Sequence, residues 1–250
     1  MGCRYDAGVR QRGGGYTLLL VATPHAVNVT LYEKLPINVM RDIVPVASID
    51  DDAFVLKVTN SLPVRTVPEL IAYAKANPGK LNMSSSGTGN LSHLAGELFK
   101  MMTGTEMVHV PYRGMPAANT ALITGDAHVM FNALPSALPH VKEGTVRALG
   151  VTTKMRVKSL PEVPPVADSV PGYAVTGWLG IGAPKSTPPE IIDRLNKEMN
   201  AVLADPDVLK RLENVGSEPF SGSPADFGRF LAAETEKWAK VVKFAGLKVE

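Results

Sequence analysis

The sequence predicts an α/β fold with a mainly parallel sheet, and three features carry that prediction. Short β-rich apolar runs alternate with amphipathic helical segments along most of the chain. Helix starts are marked by capping boxes such as Thr66-Val67-Pro68-Glu69. The first apolar run, Tyr16 to Val21, is apolar on both faces, the pattern of a buried strand with neighbours on each side. With 250 residues the chain has room for one large domain or two modest ones.

Residues 1–15, from Met1-Gly2-Cys3 to Gly14-Gly15, are small and basic and lack the apolar core of a secretory signal. They read as a tail, with a partner for the first strand expected upstream of Met1. Ala22 to Asn28 reads as a loop, and a polar–apolar segment continues to Met40. Val44 to Ile49 and Phe54 to Val58 read as two strands, with Asp50-Asp51-Asp52 as a solvated loop between them. The helix opened by Thr66 carries Leu70, Ile71 and Ala74 on one face and stops at Asn77-Pro78-Gly79. Lys80 to Ser84 reads as a strand, Leu91 to Met102 as a helix, and Met107 to Val110 as a strand. A helix over Pro116 to Ile123 ends at Gly125, and strands follow at Ala127 to Phe131 and Val146 to Val151.

A proline-rich stretch, Leu160 to Gly172, separates this block from a largely helical final third. There Thr187-Pro188-Pro189-Glu190 reads as a second capping box, with Ile191, Ile192, Leu195, Met199, Val202 and Leu203 at helical spacing behind it. Asp205-Pro206 opens a short helix. Ser223-Pro224-Ala225-Asp226 opens another, whose Phe227, Phe230, Leu231, Trp238, Val241 and Val242 form one packing stripe.

Composition excludes several classes. Lys and Arg number 26 against 24 Asp and Glu, so there is no electrostatic reason to expect nucleic acid or an anionic membrane as partner. Cys3 is the one cysteine, which rules out an internal disulfide and a cysteine-clustered metal site. No apolar run approaches the ~18 residues of a spanning helix. His25, His93, His109, His128 and His140 show no metal-ligand spacing, and neither a Gly-x-Ser-x-Gly elbow nor a pair of carboxylates flanking a cleft segment is found. An enzyme is therefore the weaker class, and neither cofactor nor metal is expected.

The segment that carries chemistry is Ser84-Ser85-Ser86-Gly87-Thr88-Gly89-Asn90-Leu91-Ser92-His93, between a strand and a helix. A helix amino terminus offers unpaired N–H groups and a partial positive charge, an anion site before any side chain is counted. Four readings are open. A dinucleotide fingerprint would need a glycine where Ser92 stands, and a phosphate-binding P-loop would need a lysine that the loop lacks. A small carboxylate needs only neutral donors, which are present. The fourth reading is a strand-to-helix turn with ordinary capping. On the second of these chemistries rests an alternative function, an intracellular α/β enzyme using Ser84–Asn90 to bind a phosphorylated substrate.

Several stretches, in order along residues 15 to 250, resemble the extracytoplasmic solute receptors of tripartite tricarboxylate transporters, also called Bug receptors. They are Gly15-Tyr16-Thr17-Leu18-Leu19; Asn28 with Leu31 to Pro36; Asp42-Ile43-Val44-Pro45-Val46; Ser85 to Gly89 with His93-Leu94-Ala95-Gly96-Glu97-Leu98-Phe99; Val110-Pro111-Tyr112-Arg113-Gly114; Leu134 to Leu138; Arg147 to Val151; and Trp178 with Ala183 to Pro188. The resemblance implies a type II periplasmic-binding-protein-like fold: two α/β lobes with a ligand cleft between them. Residues 1–52 plus 176–250 would form the discontinuous first lobe, and 53–175 the second. It further implies a non-enzymatic receptor that holds a small organic carboxylate, or an amino acid, through backbone amides, hydroxyls and waters. The ligand-lining positions it implies are Thr23, His25 and Ala26 in the first lobe. In the second they are Ser85, Ser86, Thr88, Gly89 and Asn90, with His93 behind, then Tyr112, Arg113, Gly114 and Asn132. A periplasmic location, membrane transporter subunits as partners, a monomeric state and no direct membrane insertion follow from the same resemblance.

The family pattern begins with a signal peptide and a βα unit ahead of Gly-Tyr-Thr-Leu, and neither is read here, so the first lobe is expected to be truncated at its amino end. Gly14 also replaces the usual aspartate before Gly15, and the proline-rich stretch carries Pro164-Pro165 and Asp168 in place of the usual residues. A sensing or remnant protein of the same fold is the further alternative.

Overall fold

The computed structural model describes residues 14–32, 35, 37–214 and 217–247; most of the basic segment at 1–15, Cys3 included, lies outside them. In chain order the elements are β1 (Leu19–Ala22), α1 (Thr23–Leu31), α2 (Val39–Asp42), β2 (Ile43–Thr59), α3 (Val67–Ala76), β3 (Leu81–Ser85), α4 (Leu91–Thr103), β4 (Met107–Pro111) and α5 (Met115–Thr124). There follow β5 (Val129–Ala133), α6 (Leu134–Lys142), β6 (Val146–Val151), β7 (Thr176–Pro184), α7 (Pro189–Leu203), α8 (Pro206–Asn214), β8 (Ser217–Pro219) and α9 (Pro224–Phe244). They gather into two compact units: residues 1–51 with 178–250, and residues 52–177. The chain passes from one to the other within β2 and again within β7.

In the first unit, β1 runs antiparallel to β7, with Leu19 opposite Gly182 and Ala22 opposite Leu179. β7 in turn neighbours β2, and β8 pairs with β2. Among the described residues β1 is the last strand on its side of the sheet, and Leu18 and Leu20 are about half exposed. α9 packs along α1. Trp178 meets Phe227 and Phe230 edge to face, and Glu234 accepts from the indole N–H groups of both Trp178 (3.3 Å) and Trp238 (2.9 Å). α7 covers the first half of β2 through Ile192, Leu195 and Met199 against Val46, Ala47 and Ala183.

In the second unit, β3 lies parallel to β4 and to β5, while β2 runs antiparallel to β5 on one side and to β6 on the other. The order is thus β6-β2-β5-β3-β4, a mixed sheet rather than a mainly parallel one. A helix lies between each successive pair of strands from β2 to β6, and the crossover through α4 is what lets β3 and β4 pair in parallel as direct neighbours. One face is sealed by Phe99, Phe131 and Tyr173, whose rings lie about 6 Å apart, and the Tyr173 hydroxyl donates to the Ala95 carbonyl.

Several elements depart from the expectation. Ala22 to Asn28 is the start of α1, not a loop. Its N-cap, Ala22, has no capping side chain, and His25 Nδ1 accepts the Ala22 N–H instead (3.1 Å). The two expected strands around Asp50-Asp51-Asp52 are one 17-residue strand. Asp50 is 7% exposed and accepts the Leu179 N–H. α6 and β7 went unread. The box at Thr187 does not form: α7 starts at Pro189 behind Pro188, and the buried Thr187 hydroxyl has no hydrogen-bond partner. The proline-rich stretch is no spacer. Leu160 and Val163 are buried against Leu134, Ala137, Val55 and Val151. Ser223 and Asp226 form their box as read, whereas Thr66 caps α3 by accepting the Glu69 N–H while the Glu69 carboxylate accepts the N–H of Arg65 instead of that of Thr66. No helix among the described residues is long and apolar enough to cross a membrane.

Candidate functional site

The second unit brings three helix amino termini to one edge. The parallel strands β3, β4 and β5 each run into a helix, and they end in step: Ser85 lies opposite Pro111, and Ser84 opposite Met130. The Ser86–Asn90 loop, the Tyr112–Gly114 turn and the Asn132–Ala133 junction consequently stand at one level. α4, α5 and α6 begin there with 13, 10 and 9 residues, so three partial positive charges face the same edge of the sheet. Parallel α/β units bind ligands at this carboxyl end of their strands.

The loop itself turns on Gly87 (φ +139°) and Gly89 (φ +79°), conformations that L side chains rarely adopt. Its hydrogen bonds decide which donors remain. The Ser86 N–H donates to Ser92 Oγ (3.1 Å), the Gly87 N–H to Ser85 Oγ (3.2 Å) and the Gly89 N–H to His93 Nδ1 (3.1 Å). The Asn90 N–H donates to the Gly87 carbonyl, and the Asn90 side-chain amide reaches back to the Ser86 carbonyl. Among the described residues no hydrogen bond claims the N–H of Thr88, Leu91 or Ser92. The free donors are thus at Thr88, which is exposed, and on the first turn of α4. The N–H groups of Gly87 and of Gly89, the latter an expected ligand-lining position, are both taken up within the loop and its flanking side chains.

Two histidines hold them there. The His93 and His109 rings stack 3.5 Å apart at 12°. His93 Nε2 lies 3.4 Å from Glu97 Oε1, which also accepts from Lys100 Nζ at 2.7 Å. His109 Nε2 is 2.6 Å from Ser85 Oγ, the acceptor of the Gly87 N–H. Burial alone would push Glu97 up, but the bonds from His93 and Lys100 outweigh it and hold the carboxyl below its usual range. Burial, with His93 beside it, pushes His109 down to about 4, so this ring is neutral at pH 7. Glu97, Lys100 and His109 are the residues to which the sequence assigned no role. Their one legible signal is the spacing of His93, Glu97 and Lys100, which places all three on one face of α4.

Of the remaining positions, Tyr112, Arg113 and Gly114 form the β4–α5 turn, with Arg113 exposed. Asn132 is 0% exposed, and its amide faces the interior, donating to Asn119 Oδ1 (3.1 Å) and Ser136 Oγ (3.5 Å). Asn119 Oδ1 also accepts from Lys57 Nζ at 2.6 Å, and Lys57 is itself 0% exposed. Burial pushes this ammonium down to about 8. Asn132 Oδ1 has no hydrogen-bond partner among the described residues. In the first unit, Thr23, His25 and Ala26 occupy the opening turn of α1. Thr23 and Ala26 are buried, the Thr23 hydroxyl accepts the Trp178 N–H (3.4 Å), and burial lowers His25 below its ordinary value. No group of three or more His, Cys, Asp or Glu among the described residues is placed to hold a metal ion.

Residues 9–247 match the sequence pattern of the tripartite tricarboxylate transporter family receptor. BugT of Bordetella pertussis is 33% identical over 248 residues, 98% of this chain and 76% of the relative. The solved structure of Rpa4515 from R. palustris with adipate is 36% identical, with a TM-score of 0.80 over 98% of this chain and 83% of that one. MatC from Rhodopseudomonas palustris, with bound malate, is 26% identical, with a TM-score of 0.75 over 94% and 82%.

Proposed function

Because the chain belongs to the tripartite tricarboxylate transporter receptor family, a family of solute-binding receptors and not of enzymes, we propose that its second unit receives one carboxylate of a small organic acid at the Ser86–Ser92 segment. The observation that carries this reading is the set of unclaimed donors, the N–H groups of Thr88, Leu91 and Ser92, at the amino end of a 13-residue helix. They are neutral and charge-favouring, which suits a carboxylate, and the loop lacks the lysine that a triphosphate would require. The Thr88 hydroxyl adds a donor on the open side. Ser85, Gly89, Asn90 and His93 shape the loop and are not the groups that touch the ligand. Tyr112, Arg113 and Gly114, at the same level on the β4–α5 turn, stand next to the far end of a longer acid. Asn132 acts from beneath.

Adipate and malate are ligands of neighbours in the same family, and they are the first acids to try. The protein would present its acid to membrane subunits of a transporter from the periplasmic side. Binding is tested by melting-temperature shift with a panel of mono-, di- and tricarboxylates and amino acids. Stabilisation follows RT ln(1 + [L]/Kd), about 2.7 kcal/mol at a hundredfold excess over Kd. A response to a carboxylate that disappears in Thr88→Pro, which removes the Thr88 N–H, supports the site. A flat response across the panel sinks the reading.

A further inference from the structure

We infer that His93 is a positioning residue for the carboxylate loop, acting through one ring nitrogen. Nδ1 accepts the Gly89 N–H, and Glu97 fixes the tautomer that leaves Nδ1 free to accept. The effect on affinity rests on the proposed function; the hydrogen-bond arrangement stands apart from it.

The polarity of each neighbour assigns the proton. A backbone N–H can only donate, so the Nδ1 atom 3.1 Å from Gly89 N carries no proton. The proton of the neutral ring is then on Nε2, 3.4 Å from Glu97 Oε1, and a carboxylate can only accept. Glu97 is 3% exposed and is anchored in turn by Lys100 at 2.7 Å. The flat of the ring is fixed by His109 at 3.5 Å. Three groups from two elements, Glu97 and Lys100 on α4 and His109 on β4, thus determine where one nitrogen lone pair points. It points at the N–H of a glycine whose φ of +79° is one that L side chains rarely adopt. Without that acceptor the Gly89 N–H must find another partner. The loop then loses the arrangement that exposes the Thr88 N–H beside the first turn of α4.

Substitutions separate the nitrogen from the ring. Asn places its Oδ1 where Nδ1 stands, Gln places its amide nitrogen near Nε2, and Phe keeps the shape and the stack while accepting nothing. In the ligand-free protein, amide hydrogen exchange at Gly89 should be slow in the wild type and in His93→Asn. It should be at least ~10-fold faster in His93→Gln and His93→Phe. Calorimetric titration with adipate should give Kd within ~3-fold of wild type for His93→Asn and ~10-fold weaker or worse for the other two, the loss of one hydrogen bond. If His93→Phe leaves Gly89 exchange unchanged, or if Gln serves as well as Asn, the inference is overturned. If the wild type binds neither adipate nor any other carboxylate, the proposed function fails, and the exchange experiment still decides the role of His93. Should the variants not fold, long-range ¹H–¹⁵N spectra of the wild type read the tautomer directly. A proton on Nδ1 refutes the arrangement.

Discussion

Around His93 a carboxylate that is 3% exposed receives two donors, whereas around Lys57 an ammonium that is 0% exposed finds a single acceptor among the described residues. Both assemblies belong to the second unit, and both end near the level where β3, β4 and β5 give way to helices. The Glu97 assembly is closed: carboxylate, imidazole and ammonium satisfy one another, and the surplus nitrogen lone pair is used to hold a backbone N–H. The Lys57 assembly is open: Asn119 Oδ1 serves two donors, while Asn132 Oδ1 serves none. Buried charge stabilises only where its partners are complete; otherwise desolvation dominates. The contrast predicts opposite signs for the removal of the two charges.

The largest effect is expected at the closed assembly. Glu97→Ala strands the His93 Nε2–H and leaves Lys100 unpaired beside it, a loss of about 3 kcal/mol by analogy with breaking other buried pairs. Urea denaturation measures it, and Glu97→Gln, which keeps an acceptor oxygen, should recover most of the loss. A loss below ~1 kcal/mol for the alanine variant would break the comparison.

The next effect runs the other way. Lys57→Met keeps a long flexible side chain and removes a desolvated charge, so the protein should gain about 1–3 kcal/mol. The pH dependence supplies the sign check. The folded-state value of Lys57, about 8, is below its ordinary 10.5, so between these values the unfolded chain binds more protons. Wild-type stability should therefore rise as pH climbs from 8 towards 10.5, and the variant should lack that rise. A variant less stable than wild type at pH 7 would mean that Asn119 needs Lys57 more than Lys57 costs.

How much of this was legible in the sequence depends on the range of the interaction. Thr66 and Ser223 announced their helices because a cap is a bond across three residues. The strand–helix alternation located the loop at Ser84–Asn90 for the same local reason. α1 was missed because Ala22 offers no capping side chain, and the ring of His25 does that work from inside the helix. The unbroken course of β2 was missed because Asp50 is accommodated by the N–H of Leu179, 129 residues away. The engagement of the Gly87 and Gly89 N–H groups within the loop and its flanking side chains was out of reach as well. It depends on Ser85 meeting His109, and that pair meets only through the parallel register of β3 and β4. Sequence thus located the strand-to-helix loop on which the proposed site is built, while the choice among its donors belongs to tertiary structure.

The smallest predicted effect sharpens the closed assembly from its other side. His109 is held near 4, against an ordinary 6.5, by burial and by the neighbouring His93. Its folded value is depressed, so between pH 6.5 and about 4 the unfolded chain takes up a proton that the folded chain refuses. Stability is complete above pH 6.5 and falls as the pH drops towards 4. Because the ring is only half buried, water screens much of the effect, and about 1 kcal/mol is a reasonable magnitude. His25 is depressed too, and Glu97 is held below the usual carboxylate range by His93 and Lys100, so the slope of the wild type alone does not identify the residue. His109→Phe does: it keeps the stack on His93 and removes the titration. Thermal melts of wild type and variant should converge as pH falls from 6.5 to 4, by the amount the wild type loses through this ring. Parallel curves would mean that His109 takes up its proton as readily in the fold as out of it. The imidazole next to Ser85 would then be an ordinary surface histidine and not the neutral second support of the loop.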